Sequence, residues 1–193
     1  SLYGGTHEYL HKILADAGIQ VHIVDMRNHT LLQEVLEQKT NIKLVHIETP
    51  ANPTLQCVDI EFVSTLSKLY GKLVSVDNTF ATPYLQQPFK YAGVDFVFHS
   101  TTKFLNGHGT AIGGVLLGKD VAFMQGKATK WHRLLGGNSN PFDAFLLSQG
   151  IKTLEIRMMQ HCSNTEKVAA YLQQHSAVQK VNYNGLTTHA DYD

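Results

Sequence analysis

Leu73-Val74-Ser75-Val76-Asp77-Asn78-Thr79, taken with its sequel Phe96-Val97-Phe98-His99-Ser100-Thr101-Thr102-Lys103, decides the fold of this chain. Each stretch opens with a short, mostly apolar run and then turns abruptly polar. Such runs suit strands of a parallel sheet covered on both faces, where strict alternation of apolar and polar residues is lost. The polar tails matter equally. In an open α/β sheet, ligands bind beyond the carboxyl ends of the strands.

Working outward, the same rhythm repeats. Leu44-Val45-His46-Ile47-Glu48 reads as another strand, and Thr49-Pro50-Ala51-Asn52-Pro53-Thr54 as loop, because two prolines break any ladder. Ile60 to Tyr70 carries apolar residues at helical spacing and stops at Gly71, and Leu31 to Gln38 is amphipathic. Glu8 to Ala17 predicts a helix ending at Gly18, followed by a short strand at Val21–Asp25. Ile112 to Leu117 predicts the last strand of this series. Asn140-Pro141-Phe142-Asp143 opens a long helical region with proline at its first turn. That region runs to about Gln174 with a break at Gly150, and Val178 to Tyr183 predicts one further strand. The expected architecture is α/β: a mostly parallel sheet with helices on both faces, joined by right-handed crossovers. Residues 1–140 are read as one large domain, and 141–193 as a connecting helix plus the start of a second.

Composition narrows the function. Lys+Arg and Asp+Glu both number 16, so the formal net charge is zero, which removes the electrostatic reason to propose nucleic acid or an anionic membrane as partner. No apolar run approaches the roughly 20 residues that span a bilayer, and the N-terminus does not read as a signal peptide. Cys57 and Cys162 are too few and too far apart for a disulfide framework or a metal cluster, so a reducing compartment, the cytoplasm, is expected. No metal site is assigned among the scattered histidines. The abrupt opening at Ser1 and the polar close at Asp193 suggest a piece of a longer protein.

The polar residues after successive strands form a coherent set: Glu48 and Asn52, then Asp77-Asn78-Thr79, then Ser100-Thr101-Thr102-Lys103. Gly107-His108-Gly109-Thr110 would shape the loop beyond. A lone lysine is usually a solvated surface charge. Lys103, at a strand end among hydroxyls, fits instead an amine that forms a Schiff base, with hydroxyl and backbone donors for a cofactor phosphate. Asp77 supplies the complement. Pyridoxal phosphate acts as an electron sink when its ring nitrogen stays protonated, and a buried carboxylate keeps it so. Asp77 could alternatively cap a turn with Asn78. Tyr3, before Gly4-Gly5, could stack on a flat ring or pack in the core.

Leu2-Tyr3-Gly4-Gly5-Thr6, Glu48 through Thr54, Val76 through Tyr84 and His99 through Lys103 together resemble the Cys/Met metabolism family of pyridoxal phosphate enzymes, and the likeness continues through Gly150–Leu154 and Arg157-Met158. The resemblance implies the large domain of fold-type I, the aspartate aminotransferase-like fold. It implies that Lys103 holds pyridoxal 5′-phosphate and moves protons, that Asp77 pairs with the ring nitrogen, and that Tyr3 stacks and assists the leaving group. Ser100 and Thr102 would bind the phosphate and Asn52 would lie near the phenolic oxygen, with Glu48 and Thr79 supporting them. The implied reaction is γ-elimination or γ-replacement on cystathionine, methionine or O-activated homoserine. O-acetylhomoserine sulfhydrylase and cystathionine β-lyase are the alternatives within the family, and an inactive scaffold or interaction module is the non-enzymatic one. Gly5 stands where methionine γ-lyases typically carry cysteine, which argues against a specialised methionine γ-lyase. Family members are about twice as long, complete their sites across subunits and are homo-oligomers, dimers or tetramers. The missing substrate-carboxylate and cross-subunit phosphate ligands imply that these 193 residues alone would not turn over substrate.

Overall fold

The apolar runs form a sheet in a computed structural model that describes residues 2–192. Strand β1 (Leu44–Glu48) pairs in parallel with β2 (Leu73–Asp77), which pairs in parallel with β3 (Phe96–Ser100). The fourth strand, β4 (Gly114–Gly118), runs antiparallel to β3. Spatial order follows chain order, β1-β2-β3-β4. A helix carries the chain back between β1 and β2, as parallel pairing demands, whereas residues 101–113 double back beside β3 and leave β4 antiparallel.

Two helices cover one face of the sheet: α2 (His29–Gln38), which leads into β1, and α3 (Ile60–Leu69), which links β1 to β2. Each starts where the sequence offers an acceptor for orphan amide donors: Asn28 Oδ1 accepts from the Leu31 N–H at 3.0 Å, and Asp59 Oδ1 from the Phe62 N–H at 2.9 Å. Gly71, at φ +68°, ends α3 in a left-handed conformation that other residues resist. Leu32 and Leu36 of α2 and Ile60 and Val63 of α3 pack on Val45, Ile47, Val74, Val76 and Val97, the main core. The remaining helical pieces are α1 (Gly4–Glu8, continued by a π-helical turn at Tyr9–Leu14), α4 (Thr82–Leu85), α5 (Val121–Phe123), α6 (Thr129–Leu134), α7 (Pro141–Ile151) and α8 (Leu154–Gln173). Leu154 and Met158 of α8 form a second core with Leu105, flanked by Phe104, Val115 and Leu147. On the opposite face of the sheet, Phe123 of α5 lies against Phe96, with ring centroids 5.5 Å apart.

Four expectations need correction. Val21–Asp25 belongs to no strand, and Val178–Tyr183 likewise forms none. A strand exists only when a neighbour satisfies its backbone groups, which local sequence does not encode. Between residues 18–27 and the unpaired edge of β1 lies a cavity of about 1030 Å³, lined by Ile23, Leu32, Val45 and Ile47 among others. The last strand begins at Gly114, and Ile112 is 86% exposed outside it. The long C-terminal helical region breaks at Lys152-Thr153, and Gly150 stays inside α7.

Candidate active site

Side chains of a strand alternate between faces, so register tells which residues share one. Glu48 pairs with Asp77 across β1 and β2, Asp77 pairs with Phe98 across β2 and β3, and Ser100 lies two residues beyond Phe98. Glu48, Asp77 and Ser100 therefore stand on one face at the carboxyl edge, with His46 and Ser75 one step below. This is the face turned away from α2 and α3, and it stays partly open: Leu44, Leu73 and Leu116 are between 44% and 49% exposed.

Glu48 joins two loops to this edge. Its Oε2 accepts the Tyr3 N–H at 2.7 Å and its Oε1 accepts the Asn52 N–H at 2.8 Å. Burial pushes its carboxyl above the ordinary value. The two backbone donors work against that rise, and the neighbouring Asp77 charge adds to it. Tyr3 itself is half exposed, not a core tyrosine, and its ring lies so close over Gly5 that a Cβ there would meet Cε1 at 2.8 Å. Asn52 is held in place through its backbone and is only partly exposed.

Asp77 is buried, and its Oδ1 accepts the Thr79 N–H at 2.9 Å. That bond is the turn cap that the sequence allowed, and it engages one oxygen of the two. Thr79 in turn accepts the Ser100 N–H at 2.8 Å, which ties the loop after β2 to the end of β3. One step below, His46 Nδ1 lies 2.8 Å from Ser75 Oγ, and burial holds its imidazole below the ordinary 6.5 against the pull of Asp77. His99, on the other face, is also held low by burial, and its buried Nδ1 has no hydrogen-bond partner.

Lys103 follows immediately. The turn Thr101–Leu105 is kinked at this residue, φ −90° and ψ −126°, and the side chain is exposed. Among the described residues its Nζ has no hydrogen-bond or ion-pair partner. Gly113 braces the turn. Its carbonyl accepts from the Thr101 N–H at 2.9 Å, and its own N–H donates to Thr102 Oγ1 at 3.0 Å. The Thr102 hydroxyl is thus already occupied, unlike that of Ser100.

Pyridoxal phosphate asks for an amine, a carboxylate that can meet a ring N–H, and hydroxyl or backbone donors for phosphate. An unpartnered Lys103 Nζ, an Asp77 carboxylate with one oxygen in use, and Ser100 at the strand end fit that set. Sequence reading overlooked one pattern: His7-Glu8-Tyr9-Leu10-His11 has the spacing of a zinc-protease helix. Glu8 is committed to Lys12 at 2.6 Å, and no group of three or more His, Cys, Asp or Glu that could hold a metal occurs among the described residues. Arg157, which the sequence showed only as part of the family likeness, reaches the Lys103 turn. Two of its bonds run to backbone carbonyls, which a sequence does not display.

The chain is similar to known proteins in sequence and fold. L-methionine gamma-lyase of Porphyromonas gingivalis is 42% identical over the whole chain, which covers 48% of that protein. Cystathionine beta-lyase of Lactococcus lactis is 38% identical, again over the whole chain and 50% of the relative. Cystathionine gamma synthase of Xanthomonas oryzae pv. oryzae, solved with aminoacrylate and cysteine, superimposes with a TM-score of 0.94 at 37% identity, covering 99% of this chain and 48% of that one. The chain spans about half the length of the curated relatives it matches. A profile of Cys/Met metabolism PLP-dependent enzymes matches residues 1–193 throughout, and with the edge of β1, β2 and β3 built as it is, the chain belongs to that pyridoxal phosphate-dependent family.

Proposed function

We propose that the intact protein catalyses γ-elimination or γ-replacement on a sulfur-containing amino acid or an O-activated homoserine. One observation carries this reading: β2 and β3 bring Asp77 and Ser100 to one sheet edge, on the face left open by α2 and α3, and the turn that follows carries Lys103, whose Nζ has no partner among the described residues. In this reading Lys103 would hold pyridoxal phosphate, Asp77 would pair with its ring nitrogen, Ser100 and Thr102 would bind its phosphate, Asn52 would serve its phenolic oxygen and Tyr3 would stack on its ring. The bound cofactor supplies an electron sink for bonds at the substrate's α-carbon. The Lys103 amine would carry protons between substrate carbons. Tyr3, tethered by its backbone to Glu48, assists departure of the γ-substituent. The relatives' names support the reading and include both lyases and a synthase. Exposed Trp131, Leu134, Leu135 and Phe142 support a homo-oligomeric assembly, and two free thiols, Cys57 and Cys162, support a cytoplasmic setting.

The intact protein, loaded with cofactor, is to be given L-cystathionine, L-methionine, or O-acetylhomoserine with sulfide, and the products identified. α-Ketobutyrate from the first two marks a lyase, and homocysteine from the third a sulfhydrylase. No product from any of them overturns the proposal. Lys103→Ala is expected to abolish the visible absorbance of covalently held cofactor, and a band that persists in the variant removes Lys103 from its role.

A further inference from the structure

Arg157 projects from the first turns of α8 toward the segment that carries Lys103. Its Nη1 donates to the Phe104 carbonyl at 2.8 Å, its Nη2 to the Gly150 carbonyl at 2.8 Å, and its Nε to Thr153 Oγ1 at 3.0 Å. One rigid guanidinium thus bridges the residue after Lys103 to the end of α7, which a single-point ammonium cannot do. The backbone around it is shaped to admit it. Gly107, at φ +72°, leaves the space that a Cβ would take from the guanidinium, and its N–H donates to the Lys103 carbonyl at 2.7 Å. Gly150 lets the buried Asn106 carbonyl approach α7 where a Cβ would overlap it. Lys103 sits at the kink of this turn, and among the described residues its Nζ makes no hydrogen bond that would fix its direction.

We propose that Arg157 is a positioning residue: it fixes the carbonyl next to Lys103 and so aims the lysine amine at the cofactor. The proposal rests on the reading of Lys103 as the residue that holds pyridoxal phosphate. It is tested in the intact, cofactor-loaded protein with Arg157→Ala and Arg157→Lys. Four readouts are needed: visible-region circular dichroism of the bound cofactor, the fraction of cofactor trapped on Lys103 by borohydride, kcat and KM, and thermal melting. Arg157→Ala is expected to lower kcat by about 10²-fold, the cost of a reacting group displaced by about an ångström, with little change in KM. It should weaken the visible dichroism, and added guanidinium ion should restore part of both. Arg157→Lys, which keeps the charge and one donor, should fall between and carries the comparison if the alanine variant does not fold. Unchanged dichroism and kcat in folded variants overturn the proposal while leaving Lys103 its role. A wild type that traps no cofactor at Lys103 overturns the reading of the site and this proposal with it.

Discussion

Glu48 accepts two backbone N–H groups, and that sets what one substitution should do. In Glu48→Gln the side chain keeps a single acceptor oxygen, so either the Tyr3 or the Asn52 N–H faces an amide NH2. A fully buried donor left unsatisfied costs about 1–3 kcal/mol, and these part-buried donors lie toward the lower end of that range. Removing a carboxyl already disfavoured by burial offsets part of that loss, and the unpaired donor wins. The denaturation midpoint in urea should fall at unchanged slope, and an unchanged midpoint would show the tether to be dispensable. The candidate residues Asp77 and Lys103 stand out in the sequence for a physical reason: each closes a segment that opens with an apolar run, and a charge there must be either solvated or used. Arg157 was not legible as a brace, because two of its three partners are the carbonyls of Phe104 and Gly150. The tie from Glu48 to Tyr3 was equally hidden, since any residue type could have supplied that N–H.

Elements were read best where their stability is local. Asn28, Asp59 and Asn140 mark helix starts with side-chain acceptors, and all three bond there. Elements were misread where stability comes from a neighbour. Val21–Asp25 has the composition of a strand but no partner among the described residues, and the direction of β4 depends on the path of residues 101–113. Gly150 shows a subtler error. It reads as a helix breaker, yet it lies within α7 because its missing side chain makes room for Asn106. Gly150→Ala therefore pits two effects against each other. Helix propensity favours alanine by about 1 kcal/mol, whereas overpacking against backbone costs about 1–3 kcal/mol. Overlap with a carbonyl that has no rotamer to escape into decides the balance, and the variant should melt at a lower temperature than wild type. A rise in melting temperature would show that the α7 contact yields easily.

At the scale of the whole molecule, the partly buried His46 and the buried His99 set a pH limit. Burial holds both His46 and His99 below the ordinary 6.5. Just below 6.5 the unfolded chain binds protons at these positions while the folded chain still refuses them. Stability therefore falls as pH drops through that window. Glu48, raised by burial, acts in the opposite sense, its contribution lost as pH rises through its folded pKa from a lower starting point. Urea midpoints of the intact protein should decline from about pH 7 to about pH 5.5, and His46→Gln should flatten the decline; an equally steep slope in that variant would exclude His46 as a source. The sheet's order has a consequence for how the molecule is made. Because β1, β2, β3 and β4 are neighbours in the sequence in which they leave the ribosome, each strand emerges with its template already synthesised. Growth can then proceed one edge at a time, and Lys103 reaches its place only after β1, β2 and β3 have been made.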